Sequence, residues 1–304
     1  MQVETDLPRR QAAAPLVLAA PRVWERRRLV NGVATALMIL SAACAVLVLL
    51  MILSNVVVQG VPALNPAFFT DRPLPPGEAG GGVAPAILGS LLMLAVAGLI
   101  GVPLGVGTAI YLSEFGRGAL ARAVSFTIDL IAGLPSIVIG VFVWAWLVRN
   151  VVGQYNGLAG GVALAIIMLP IVARTVEETL RLVPDALREA SFALGIPRWK
   201  TILRVVLPTA SAGVITGVVL SMARAGGETA PLLLTALGNQ FFNPDLLQPM
   251  AALPVQIYQY ARSPYPDWHT KAWGAAVVLI TLIAVFSGLT RWIVGRRMRA
   301  LSRS

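Results

Sequence analysis

The sequence is short of charge, of cysteine and of histidine, and each shortage closes off a class of protein. Asp, Glu, Lys and Arg make up 12% of the 304 residues, where ordinary soluble domains carry about 25%. With 57% hydrophobic residues and a mean hydropathy of +0.78, the chain has too little polar surface for a soluble globule and no room for a large soluble domain. One cysteine, Cys44, excludes a disulfide framework and a cysteine cluster for zinc or iron and sulfur. One histidine, His269, leaves no basis for a histidine metal site or a Ser–His–Asp set. A phosphate-cradling loop is missing too. The nearest stretch, GIPRWKT at 195–201, carries Trp199 where the turn of GxxxxGK[ST] requires glycine. The chain is therefore not read as an enzyme.

What is present is a series of long apolar runs. Stretches nearly free of charge cover 30–71 apart from their polar end, 73–113 broken by Glu78, 130–148, 150–173, 205–223 and 272–290. Each is long enough for a helix across a hydrocarbon core, which takes about 20 residues. The first run is too long for a signal-peptide core and reads as a retained helix. The expected fold is an all-α polytopic membrane protein with six transmembrane helices.

The net charge of +10 acquires its meaning from where the basic residues lie. With both ends of the chain inside, inner segments hold nineteen Lys and Arg residues, whereas outer segments hold only Arg72, Arg149, Arg262 and Lys271. The positive-inside rule reads this asymmetry as both termini cytoplasmic, and nucleic acid is not needed to explain the charge. The partition expected is a cytoplasmic tail over 1–28, a first span over 29–58 and an outer loop over 59–82. A five-helix body over 83–294 follows, containing an inner loop 184–200 and an outer segment 238–271, and a cytoplasmic tail closes the chain over 295–304. The basic N-terminal tail is expected beside anionic membrane lipid.

Generic features of packed spans are visible as well. Glycines recur at four-residue spacing in GVPLG (Gly101, Gly105), GLAGG (Gly157, Gly161) and GVITG (Gly213, Gly217), which lets helix backbones approach closely. Pro103, Pro135, Pro170 and Pro208 stand inside apolar runs and are expected to kink or interrupt helices. Trp268, Tyr258, Tyr260 and Tyr265 in the outer segment read as interfacial anchors.

Arg224 is the basic residue that neither loop set accounts for. It lies in GVVLSMARAGGETAPLL with Glu228 four residues on. A charge at mid-bilayer costs about 3 kcal/mol or more on insertion scales, so both must face the bundle interior or a water-filled cavity. Two uses are open. The pair can neutralise itself as a brace, or the guanidinium can exchange its carboxylate for a passing anion whose oxygens match its planar fork, with Glu228 recapturing it afterwards. Arg174, followed by Glu177 and Glu178 at the inner end of the fourth run, is a second pathway candidate and equally an interfacial charge that sets topology. Asp129 is expected to pair or cap.

The inner loop from Pro184 to Lys200 starts at a proline, carries Leu187, Ala190, Phe192, Ala193 and Leu194 as an apolar set, and bends at Gly195 before Pro197. It reads as a short helix followed by a turn. Glu189-Ala190-Ser191, then Gly195, then Val205 and Leu207-Pro208 resemble the EAA loop of ABC importer permeases, departing from its pattern at Ser191 and Val205. ARAGGETAPLL, AGLPSIVIG at 132–140, the stretch 177–201 and QPMAALPVQIYQYA at 248–261 extend the likeness. Together they resemble the permeases of the high-affinity phosphate ABC importer, of the PstA type.

That resemblance implies a type I importer fold, phosphate as solute, and a place for Pro184, Glu189, Ala190, Gly195, Leu207 and Pro208 in coupling to an ATPase. It also implies a second permease of PstC type, two ATPase subunits of PstB type that hold the ATP, and an outer phosphate-binding protein of PstS type. No cofactor and no metal is expected on this chain. From the residues alone another oxyanion, such as phosphonate, sulfate or molybdate, stays open, as does a secondary carrier, against which the EAA loop argues.

Overall fold

The structure is a computed structural model that describes residues 21–78 and 80–301, so residues 1–20 of the expected N-terminal tail and 302–304 of the C-terminal tail lie outside it. The described residues form helices and connections without strands. They divide into two units, up to Ser54 and from Asn55 on.

The first unit holds most of α1 (Pro21–Gly60). It is apolar on every side, with Val33, Leu37, Leu40, Leu47 and Leu50 all exposed. A helix apolar all round and not packed in a core is suited to lipid.

In the second unit a short helix α2 (Pro66–Thr70), capped by the Asn65 side chain, leads to α3 (Ala84–Ile110). Gly89, Met93, Ala97, Gly101, Gly105 and Ala109 recur every fourth residue along α3, and all are buried. That row forms a ridge of small side chains, while Leu91, Leu99 and Leu104 face outward. The winding widens in a π-helical turn, Tyr111–Phe115, before α4 (Gly118–Gly133). After Leu134 and Pro135 comes α5 (Ser136–Val143), continued by a π-helical stretch Trp144–Val152.

The central helix is α6 (Gly157–Arg181), capped by Asn156 and buried along most of its length. It packs on α3, α4, α5 and later helices. The glycine pairs explain how closely. A Cβ on Gly105 would sit 2.7 Å from Val172 Cβ, one on Gly161 2.7 Å from Val96 Cβ, and one on Gly217 3.1 Å from Thr175 Cβ. These are the close approaches that four-residue glycine spacing permits.

Beyond α6 the inner loop forms α7 (Asp185–Ala193), then α8 (Arg198–Thr201), a π-helical turn Ile202–Val206 and α9 (Leu207–Thr209). α10 (Ser211–Gly226), α11 (Ala230–Thr235), α12 (Leu253–Ala261) and α13 (Pro266–Leu301) complete the chain.

Four helices are long and apolar enough to cross a membrane, and there are six spans if each of two bent pairs counts as one. The bends are 104° between α4 and α5 and 73° between α9 and α10. Pro135 lies at the first break, where it holds Leu134 before it extended; Pro208 lies within α9, two residues before the second break at Ala210, and donates no backbone hydrogen bond there. Pro103 and Pro170 do not interrupt their helices and lie inside continuous α3 and α6, where neighbouring helices help a span tolerate the lost hydrogen bond. Tyr260 departs from its expected role as an anchor. It is buried with its ring 4.8 Å from that of Trp268, and burial pushes its phenol up to about 12.

Candidate functional site

The fifth span delivers Arg224 in the last turn of α10, which stops at Gly226. Glu228 follows in the turn before α11. Their closest approach is 3.8 Å, from Nη2 to Oε1, longer than a hydrogen bond. The Arg224 side chain is 64% exposed and that of Glu228 15%. Both line a cleft of about 280 Å³ whose other walls are Ile131, Ala132, Leu134, Ser136 and Ile139 around the α4–α5 break, and Ile167, Pro170 and Ile171 of α6. The first turn of α5 opens onto the same cleft, and the N-terminal end of a helix favours an anion. An exposed guanidinium with no hydrogen bond to the carboxylate near it, beside the first turn of a helix, can bind an oxyanion and release it.

The 134–136 break was present in the sequence only as one proline among four. What singles it out is Gly133 and Pro135 flanking a single residue in an otherwise unbroken apolar run.

Arg174 is employed differently. Its Nη2 donates to Asp129 Oδ1 at 2.6 Å, to Ser125 O at 2.9 Å and to Ser125 Oγ at 2.7 Å, while Nε also reaches Asp129. Its Nη1 donates to Glu177 Oε2 at 2.8 Å. Glu177 is buried and accepts from Arg181 as well. The cluster fastens α4 to α6, and Asp129 pairs as expected. Arg174 does not line the cleft that holds Arg224 and Glu228.

After α6, Pro184 precedes α7 and Gly195 ends its turn at φ +73°, a left-handed conformation suited to glycine. The polarity of α7 is inverted. Arg188 and Ser191 point into the protein, Ser191 sharing a buried hydrogen bond with Thr201 at 2.8 Å. Leu187, Glu189, Ala190, Phe192 and Leu194 point outward and are exposed. Leu207 is half-buried and Pro208 exposed, three and two residues before the Ala210 bend.

Glu114 was not foreseen. It accepts three hydrogen bonds from Arg188, the shortest at 2.7 Å, and both side chains are largely buried. That hydrogen bond, with the nearby charges, raises the Arg188 guanidinium above its ordinary value. A carboxylate beside an apolar run resembles any interfacial charge, so no sequence signal marked it.

Among the described residues no group of His, Cys, Asp and Glu is placed to hold a metal ion.

A family model described as binding-protein-dependent transport system inner membrane component matches residues 101–299. The phosphate transport system permease protein PstA of Yersinia pestis is 42% identical over 274 residues, covering 90% of this chain and 92% of that protein. Its counterpart of the same name in Pasteurella multocida is 45% identical over 260 residues, covering 85% and 92%. Among solved structures, a chain of the inward-facing MetNI methionine ABC transporter is 24% identical with a TM-score of 0.55, over 71% of this chain and 95% of that one. A chain of a bacterial ABC transporter involved in import of the acidic polysaccharide alginate has a TM-score of 0.54 at 16% identity, over 70% and 78%. These structures share the fold.

Proposed function

The chain belongs to the binding-protein-dependent transport system inner membrane components and, within them, to the PstA-type phosphate transport system permeases, and from that membership we propose that it forms part of the path by which an ATP-driven importer moves inorganic phosphate inward. It is a multi-pass inner membrane protein, and the proposed orientation, with both termini cytoplasmic, rests on the distribution of its basic residues.

The observation that carries the reading is the state of Arg224. It lines a cleft beside a broken span and is not hydrogen-bonded to Glu228, so its fork is available to phosphate oxygens. As the anion arrives, Arg224 turns from the carboxylate to it. As the anion leaves, Glu228 recaptures the guanidinium, which prevents the site from holding its solute too tightly.

A cleft on one chain is half of a pathway. The other half comes from a second permease of PstC type, with delivery by a phosphate-binding protein of PstS type outside. Two ATPase subunits of PstB type supply the ATP, since this chain has no nucleotide loop, and one of them docks at α7. The inverted polarity of α7 supports that docking. Exposed Leu187, Phe192 and Leu194 fit a groove on a protein partner, and Pro184, Glu189, Ala190 and Gly195 shape and orient the helix that enters it. Leu207 and Pro208 carry its displacement into the bend before α10.

Uptake of radiolabelled phosphate at low external concentration, in cells with and without the chain, tests the solute. Uptake that depends on the chain and resists competition by sulfate, molybdate and phosphonate is the expected result. Equal competition by any of them assigns another oxyanion. Glu189→Lys is expected to weaken co-purification of the ATPase subunits, and full retention would remove α7 as their docking element.

A further inference from the structure

Glu114 holds a position that the anion path does not require. It lies in the π-helical turn Tyr111–Phe115 at the inner end of α3, with its side chain 7% exposed. Arg188 of α7 reaches it through Nη2 at 2.7 Å and Nε at 3.2 Å to the same Oε1. The same guanidinium donates to Leu180 O at 2.9 Å, to Val183 O at 2.6 Å and to Asp185 Oδ1 at 3.0 Å. One side chain thus joins the last turn of α6, the start of α7 and the end of α3. Beyond the Gly195 turn, Arg198 donates to the Glu114 carbonyl oxygen and places its guanidinium 4.6 Å from the Phe115 ring centroid. Both arms of the inner loop are therefore attached to one five-residue turn.

The covalent routes from α7 into the membrane are softer than this junction on one side. Toward α10 the chain passes the left-handed Gly195, a π-helical turn and the 73° bend at Ala210. Toward α6 it passes only Leu182, Val183 and Pro184. Neither route leads to α3. A guanidinium and a carboxylate, both largely buried and hydrogen-bonded, form a stiff joint, because separating them leaves a charge unpaired. Capping of the α6 carbonyls explains why Arg188 points inward, but it gives no reason for a carboxylate on α3.

We propose that Glu114 is a positioning residue that transmits displacement of α7 directly to α3 through Arg188, so that movement imposed at the cytoplasmic face reaches α3 and α6 together. The inference rests on the reading of α7 as the ATPase-docking element.

The test uses the complete transporter in proteoliposomes, as wild type, Glu114→Gln, Glu114→Asp, and the exchange of Glu114→Arg with Arg188→Glu. Phosphate accumulated per ATP hydrolysed, retention of the ATPase subunits, and the distance between spin labels on α3 and α7 are measured. The labels are placed by Leu104→Cys and Ala186→Cys in a Cys44→Ser background, at exposed positions outside the docking set Leu187, Phe192 and Leu194. For Glu114→Gln the ATPase subunits stay bound, phosphate moved per ATP falls about tenfold, within the usual span of coupling energies, and the distance distribution broadens. Glu114→Asp and the charge exchange restore part of both.

Wild-type coupling and an unchanged distance distribution in Glu114→Gln would overturn the proposal. So would loss of the ATPase subunits in every variant, which would reduce Glu114 to a support of the fold. A wild-type complex that moves no phosphate would instead refute the transport reading, and the spin-label distances would still decide the role of Glu114.

Discussion

Arg174 and Arg224 stand in neighbouring spans, yet their surroundings give them opposite capacities. Arg174 has Asp129, Glu177 and Ser125 within hydrogen-bond distance, and an anion would have to displace all three. Arg224 has one carboxylate at 3.8 Å. Such a contact is worth little as a brace, and its looseness makes it useful as a switch. It follows that Glu228→Gln leaves Arg224 without a competitor for bound anion. The variant is expected to transport with a lower KM and a maximal rate reduced about tenfold, which corresponds to roughly 1.4 kcal/mol. Uptake kinetics over a range of phosphate concentrations read this directly, and an unchanged maximal rate would remove the recapture step. Arg224 and Glu228 were legible in the sequence because a charge within an apolar run has few explanations. The engagement of Arg174 was not, since Ser125 and Asp129 are more than forty positions away in the chain and only the packing of α4 on α6 brings them near.

Helices in this protein are held by shape as much as by chemistry. In a lipid surrounding, apolar side chains gain little by leaving lipid for protein, so tight contact between small residues supplies much of the association. The glycine pairs were readable from spacing, and Gly101, Gly105, Gly161 and Gly217 each lie against a neighbouring helix. Which helix each one meets was not readable, because spacing carries no partner information. The prolines show the same limit. All four break the hydrogen-bonding pattern locally, but only Pro135 and Pro208 mark bends, and the difference lies in the neighbours of α3 and α6. Gly213 provides a sharp test, since its Cβ would collide with the Thr179 side chain between α10 and α6. Gly213→Leu is expected to lower stability by about 2 kcal/mol, the usual cost of overpacking a well-filled contact. Thermal unfolding of the purified protein in detergent measures it, and a midpoint equal to wild type would show that α10 and α6 are not bound by this close approach.

At the scale of the whole molecule, three regions stand ready for different surroundings. α1 shows apolar side chains on every side, α7 turns its apolar side chains outward, and the cleft at Arg224 lies between broken and unbroken spans. An all-helical polytopic chain with a charged position in its fifth span was legible from hydropathy and charge alone. The loop after α6 was legible too, as a helix and a glycine turn, though α8 beyond the turn was not. The cleft was not, because it arises from a 104° bend whose angle no local pattern encodes. The same holds for the Glu114–Arg188 joint, which spans 74 positions of sequence. Arg224 is proposed to handle the solute and not merely to support the bundle. The measurement that tests it most directly is phosphate uptake by cells carrying Arg224→Gln in place of the wild-type chain, with the assembled complex quantified in the same membranes. Uptake lost while the ATPase subunits remain bound at wild-type amounts is the predicted result. Wild-type uptake by Arg224→Gln would contradict it.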